Sequence, residues 1–460
     1  MKIDKFITNK NFSIRKTMEI IDKNALGTAF VVNDKKELIG VVTDGDIRQA
    51  ILGGINIEKK IWEIANENPV VIHAEIKEKE IAELNNNKDV KKKIPVKGSL
   101  KIPVINNKKI IEDIAFLSAD DNKNTFLSKS KVKGENKTIK KVLVVGGAGY
   151  LGSVLCSELL NRGYRVRVLD NLIYGDSGVK KLFKNKEFEL SKGDIRNLSD
   201  VVDAIKDVDA VIHLAAIVGD TACLADPEKT LEINYLATKN LAETCKYFQI
   251  NRFIFASTCS VYGQSLLPDQ QLTEDSPLNP VSLYAETKIK CEQTILSSVD
   301  ENFSPTIFRM ATLYGYSPNM RFDLAINLLT AKAIFEKKIP IFGGDQWRPW
   351  LHLQDAASAY IKCLEKPIED IKGEIFNVVS ENYKVIEVGK IINKAIPLAE
   401  LIISDKAIDK RDYNVSFSKI SKKLNFKSPK KIADGVFEIK EAIDKKIIKD
   451  YKSPAYRFLA

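Results

Sequence analysis

What this 460-residue chain lacks narrows its function first. No stretch approaches the roughly 18 consecutive apolar residues that would span a bilayer, so no membrane span is expected. The start, Met1-Lys-Ile-Asp-Lys-Phe-Ile-Thr8, carries no apolar core of the kind a secretory signal needs, which argues against export. The six cysteines (156, 223, 245, 259, 291 and 363) contain no Cys-x-x-Cys pair, and all lie beyond residue 150. That usage fits reduced thiols in a cytoplasmic protein rather than a disulfide framework. No metal site is expected. The net charge of +10 raises the question of nucleic acid. The first 140 residues carry 27 basic and 20 acidic side chains, and the other 320 carry 44 and 41. The densest lysine clusters, Lys91 to Lys93 and Lys129 to Lys141, lack the interleaved aromatic residues of a single-strand binding track. They read as solvated surface and linker, and no nucleic-acid partner is expected.

What is present is a soluble globular composition, 44% hydrophobic and 29% charged. At about 150 residues per domain, the length allows about three folding units. Residues 128–138, Ser-Lys-Ser-Lys-Val-Lys-Gly-Glu-Asn-Lys-Thr, are polar and read as an interdomain linker. This divides the chain into 1–127, the linker, and 139–460. The first part reads as two weakly related halves. Ile14, Met18, Ile21 and Ala25 recur at helical spacing, followed by strands at Thr28–Val32 and Leu38–Thr43 and a helix beginning near Asp46. In the second half Ile76 to Leu84 reads as helix, Ile102–Ile105 as a strand, Asn106-Asn107 as a turn, and Ile110-Ile111 as the next strand. A duplication of about 60 residues is the economical reading.

The run Gly40-Val-Val-Thr43-Asp44-Gly45-Asp46-Ile47-Arg48 resembles cystathionine-β-synthase (CBS) domains, and residues 1–127 are similar to a pair of them, with an α+β fold. The resemblance implies that Thr43 and Asp46 hold the phosphate and ribose of a regulatory adenine nucleotide. The second repeat reads Lys109-Ile-Ile-Glu-Asp113-Ile, without the Gly or Thr, so at most one nucleotide site is intact. The plainer alternative is a dimerisation module.

After the linker, Lys141–Val145 is an apolar β-branched run leading into Gly146-Gly147-Ala148-Gly149-Tyr150-Leu151-Gly152. It satisfies both G-x-x-G-x-x-G and G-x-G-x-x-G. A helical stripe (Val154, Leu155, Leu159, Leu160) follows, and then a second strand, Tyr164 to Asp170. Such glycines let backbone N–H groups approach a pyrophosphate at a helix N-terminus. Asp170 stands where a carboxylate accepts from the adenosine ribose and repels a 2′-phosphate, which favours NAD over NADP. Asp194 in Gly193-Asp194-Ile195 is a candidate for the adenine amine. Ala210 to Ala216 reads as a buried strand reaching small residues beside the cofactor, with His213 a core histidine rather than a base. Arg165 and Arg167 lie within a strand and are not taken as phosphate ligands.

Arg252–Ala256 reads as a strand ending in Ser257-Thr258-Cys259-Ser260. Downstream, Tyr284 and Lys288 lie four apart and share one helical face. An ammonium there can lower the tyrosine pKa, making Tyr284 a general base toward a substrate hydroxyl, with Thr258 in the proton network. With these residues in place, 139–460 resembles the extended short-chain dehydrogenase/reductases, in the nucleotide-sugar epimerase/dehydratase branch. The resemblance implies an α/β fold: a Rossmann-type doubly wound parallel sheet with a small C-terminal lobe for the sugar nucleotide. It implies NAD held by Gly146, Gly149, Tyr150, Leu151, Gly152, Asp170, Asn171, Asp194, Ile195, Leu214, Ala215, Ala216 and Lys288. It implies catalysis by Thr258, Tyr284 and Lys288. Arg348 is the expected diphosphate ligand, with Arg411 and Arg321 as further candidates. The expected assembly is a homodimer or higher homo-oligomer.

Family members that eliminate water place Asp-Glu directly after the threonine, where this chain has Cys259 and Ser260, so a 4-epimerase is favoured. A 4-dehydrogenase, a decarboxylase or a dehydratase are alternatives within the family. A catalytically silent NAD- and nucleotide-sensing protein is an alternative outside it. Asp220, after Ala216-Ile-Val-Gly219, is read either as a contact to a sugar hydroxyl or as a helix N-cap.

Overall fold

The structure, a computed structural model, describes residues 3–24, 27–76, 80, 83–84, 90, 99–118, 125–126, 139–265, 270–300, 302–404, 409, 411–453 and 456. The expected linker at 128–138, Ala25, the cluster Lys91 to Lys93 and most of the expected helix at 76–84 lie outside these residues. The chain divides into two compact units, Met1–Glu135 and Asn136–Ala460.

In the first unit, strands Ile7–Asn9, Thr28–Val32 and Leu38–Thr43 form one sheet. Ile72–His73, Ser99–Ile105, Ile111–Ser118 and Thr125–Phe126 form another. Helix Ile14–Asn24 buries Ile14 and Ile21, while Met18 stays exposed. The repeat is visible at the hairpin turns. Asn33 Oδ1 accepts from the N–H groups of Lys35 and Glu37, and Asn106 Oδ1 accepts from those of Lys108 and Ile110. Lys36 and Lys109 both take positive φ, 64° and 58°. These equivalent positions lie 73 residues apart, so the repeat is longer than the 60 expected. The helix expected near Asp46 starts at Asp44 and runs to Leu52, because Thr43 is its N-cap.

In the second unit seven parallel strands lie in the order Phe188–Lys192, Arg165–Asp170, Lys141–Val145, Ala210–His213, Arg252–Thr258, Ser304–Met310 and Ile375–Val378. Lys141–Val145 is buried throughout, as a strand covered by helices on both faces must be. The order reverses between this strand and Ala210–His213. In such sheets ligands bind outside the carboxyl ends at the reversal. A smaller lobe is built on Thr312–Tyr314, Trp347–His352 and Glu381–Lys384, with Lys338–Phe342 pairing Glu400–Ser404. Tyr314, Trp350, Ile341, Ile392 and Val436 pack its core. All six cysteines are buried and unpaired with one another. Among the described residues, no helix is long and apolar enough to cross a membrane, and no cluster of His, Cys, Asp or Glu could hold a metal ion.

Candidate active site

The glycine turn sits at the carboxyl end of Lys141–Val145. Gly146 has φ +82°, and a Cβ there would stand 2.7 Å from the Ala215 nitrogen. A Cβ on Gly152 would lie 2.5 Å from the Gly146 carbonyl oxygen. Only glycine lets the turn, the helix Tyr150–Asn161 and the 214–216 segment come this close. The first turn of that helix receives no side-chain cap, so its N–H groups suit an anion such as a pyrophosphate. Asp170, at the end of Arg165–Asp170, accepts from Ala148 N at 3.0 Å and Leu172 N at 2.9 Å, which fixes its carboxylate against the turn. Burial raises its pKa, and the two N–H donors work against that shift.

The expected strand Ala210–Ala216 stops at His213. Leu214 N makes the last ladder bond, to the Val145 carbonyl at 2.8 Å, and Ala215 N turns back onto the same oxygen at 3.0 Å, which ends the pairing. His213 is fully buried, its Nε2 lies 2.8 Å from Thr238 Oγ1, and burial lowers its pKa to about 3, so it stays neutral. Asp194 pairs with Arg196 at 2.8 Å, Ile195 is buried, and the Asn171 side chain hydrogen-bonds Asp194. Arg167 is spent on Glu189.

Strand Arg252–Thr258 runs two residues further than expected, because Ser257 and Thr258 pair with Arg309 and Met310. Thr258 caps the following turn by accepting from Ser260 N at 3.1 Å, and its hydroxyl hydrogen-bonds Tyr284. Helix Leu283–Ser297, capped by Ser282, presents Tyr284 and Lys288 from one buried face. Lys288 Nζ donates to the Ala256 carbonyl at 2.8 Å and lies 4.6 Å from the Phe255 ring centroid. Burial lowers its pKa to about 8. One expectation is corrected here: the Tyr284 pKa is raised, not lowered. Burial is the largest cause, and the cation that works against it is Arg321 rather than Lys288. Arg321 is buried and paired with Asp323 at 3.0 Å. Cys259 is buried and its thiol meets the Arg309 carbonyl.

The remaining candidates form a chain of charges. Asp220 is not an N-cap. Gly219 takes that place, and Asp220 Oδ2 lies 3.3 Å from Arg411 Nη1. Arg411 also pairs with Asp409 at 2.6 Å, and Asp409 in turn meets Arg348 Nη2 at 2.9 Å. Burial raises the Asp409 pKa, but Arg411 and Arg348 outweigh it and hold the carboxyl well below its usual range. Arg348 also lies over the Tyr413 ring, whose hydroxyl is 3.3 Å from Ser260 Oγ. Sequence reading missed Asp409, Glu292 and Arg309. Glu292 continues the stripe of Tyr284 and Lys288 one turn further, but only its partner on a distant strand marks it as buried.

The turn, the buried carboxylate at the end of the second strand and the uncapped helix fit a dinucleotide with a free 2′-hydroxyl. The family model described as "NAD dependent epimerase/dehydratase family" matches residues 142–378, and a CBS domain model matches 2–53. A UDP-glucose 4-epimerase of Bacillus subtilis is 30% identical over 278 residues, 55% of this chain and 81% of that one. An uncharacterized UDP-glucose epimerase of the same organism is 30% identical, over 64% of this chain and 95% of its own. Among solved structures, UDP-glucuronic acid 4-epimerase from Bacillus cereus, in complex with UDP-glucuronic acid and NAD, is similar with a TM-score of 0.57. It is 28% identical and covers 66% of this chain and 99% of that one. With its glycine turn and parallel sheet, the chain belongs to the NAD-dependent epimerase/dehydratase family and carries a CBS domain at its N-terminal end.

Proposed function

We propose that the chain is a UDP-hexose 4-epimerase that works by transient oxidation at sugar C4. The observation that carries this reading is the meeting of Thr258, Tyr284 and Lys288 at the carboxyl edge of the same parallel sheet that carries the glycine turn, with Cys259 and Ser260 where eliminating relatives have an acid pair. Gly146, Gly149, Tyr150, Leu151, Gly152, Asp170, Asn171, Ile195 and Leu214 to Ala216 would hold NAD, and Asp194 is spent largely on Arg196. When bound, NAD supplies a hydride acceptor and donor at the sugar carbon. The chain's own residues manage the proton. Tyr284 Oη would take it from the C4 hydroxyl, Thr258 would share it by hydrogen bond, Arg321 is the cation that favours the phenolate, and Lys288 Nζ stands 5.9 Å from the Tyr284 ring centroid. Arg348 and Arg411 would hold the diphosphate while the oxidised sugar turns over, so that C4 is reduced from its other face and Tyr284 returns the proton to O4. Tyr284→Phe tests this: turnover should fall by about two to four orders of magnitude with NAD still bound. Near-normal turnover would remove Tyr284 from the mechanism.

We propose in addition that an adenine nucleotide binds at Thr43 and Asp46. These residues form a reciprocal cap, with Thr43 N and Oγ1 donating to Asp46 Oδ2 at 2.8 and 2.7 Å. That cap fixes a hydroxyl and a carboxylate side by side, as a phosphate and a ribose would require. Calorimetry of the full chain with ATP, ADP and AMP tests it, and Asp46→Ala should abolish the heat. Absence of binding at millimolar nucleotide would leave the unit as a dimerisation platform, whose removal changes oligomeric state.

A further inference from the structure

The segment after His213 is built rigidly for a loop. The Asn234 side chain accepts from Ile217 N at 2.8 Å and donates to Ile217 O at 2.9 Å. The Cys223 thiol also donates to Ile217 O, and Thr230 Oγ1 donates to Cys223 O at 3.1 Å. Gly219, at φ +102°, turns the chain into the helix Asp220–Ala225. This framework fixes Asp220. One of its oxygens, Oδ2, faces Arg411 at 3.3 Å. The other, Oδ1, is enclosed and has no hydrogen-bond partner. An enclosed carboxylate oxygen without a donor is costly, and such an atom is usually completed by a group outside the chain, a water or a ligand.

The location tells what that donor is. Asp220 touches the arginine assigned to the diphosphate, and its charge also reaches Tyr284, where it raises the phenol pKa. A group that contacts Arg411 and lies within the field of Tyr284 stands along the sugar, between the anomeric phosphate and C4. We infer that Asp220 Oδ1 accepts a hydrogen bond from a sugar hydroxyl, and that its charge selects an uncharged hexose over a hexuronic acid. A hexuronate would bring a second carboxylate into a pocket that already holds one, and like charges at close range are strongly disfavoured. This inference rests on the reading of Arg411 and Tyr284 given above. It separates this chain from its structural relative solved with UDP-glucuronic acid.

The test compares UDP-glucose, UDP-glucuronic acid and UDP on the full-length protein loaded with NAD, by calorimetry and by turnover. The expected result is tighter binding of UDP-glucose than of UDP-glucuronic acid, by about 100-fold, narrowing by about tenfold or more in Asp220→Asn. UDP, which has no sugar, should bind the variant and the wild type alike. A wild type that prefers UDP-glucuronic acid, or a ratio unmoved by Asp220→Asn, would overturn the inference. So would an equal loss of UDP affinity in the variant, because Asp220 would then act only by holding Arg411. If the binding preference and its response to Asp220→Asn appear without any epimerisation, the inference stands and the 4-epimerase reading fails.

Discussion

Glu292 and Arg309 form a buried, forked ion pair, with Nη2 to Oε2 at 2.8 Å and Nε to Oε1 at 3.1 Å, and both side chains only 4% exposed. Glu292 also takes the Ser257 hydroxyl, and Arg309 reaches the Tyr262 hydroxyl at 3.0 Å. The pair therefore ties the helix bearing Tyr284 and Lys288 to two strands of the sheet and to the turn after Thr258. Removing one partner of such a pair strands the other charge, which typically costs about 3–5 kcal/mol. Glu292→Gln should lower the unfolding free energy by that amount, read as a fall in the urea midpoint at unchanged slope. A loss below about 1 kcal/mol would mean that the pair does not hold this corner together.

We propose that Asp170 sets the choice of dinucleotide. Its carboxylate is fixed against the glycine turn by two N–H donors, where a 2′-phosphate would meet it at short range. The protein should bind NAD in preference to NADP, and Asp170→Ala should weaken NAD and relax the discrimination, read by fluorescence titration of the reduced forms. A wild type that prefers NADP would contradict the assignment.

Lys288 makes stability depend on pH in a defined direction. Burial lowers its pKa in the folded chain to about 8, from the ordinary 10.5. Between these values the unfolded chain holds a proton that the folded chain has released, so stability rises with pH across that window. It is flat below about 8 and again above about 10.5. Measured against Lys288→Met, which has no such group, wild-type stability should gain about 3 kcal/mol from pH 8 to 10.5. A difference independent of pH would show that the ammonium is not desolvated.

Features coded by contiguous residues were legible before the structure. Lys141–Val145 is a valine-rich run ending in glycines, and the strand occupies those five residues. Strand ends were less legible. Ala210 to Ala216 reads as one apolar run, yet Ala215 N turns back onto the Val145 carbonyl that already accepts from Leu214 N, which ends the strand early. The spacing of the two halves is likewise longer than expected, since the equivalent turns at Asn33 and Asn106 stand 73 residues apart. Charged partners were the least legible. Nothing near Asp220 in the sequence points to Arg411, 191 residues away, and nothing near Arg348 points to Asp409. The raised Tyr284 pKa likewise depends on burial, which a four-residue spacing to Lys288 does not report.

The most direct test of the account is proton NMR of UDP-glucose in deuterated buffer with the full-length, NAD-loaded protein. The account predicts conversion to the galacto isomer, seen as new anomeric and H4 signals, with hydrogen rather than deuterium at C4, because the hydride is returned rather than exchanged. Tyr284→Phe should suppress those signals while NAD remains bound. Deuterium incorporated at C4, or a protein that binds NAD and UDP-glucose and interconverts nothing, would contradict it.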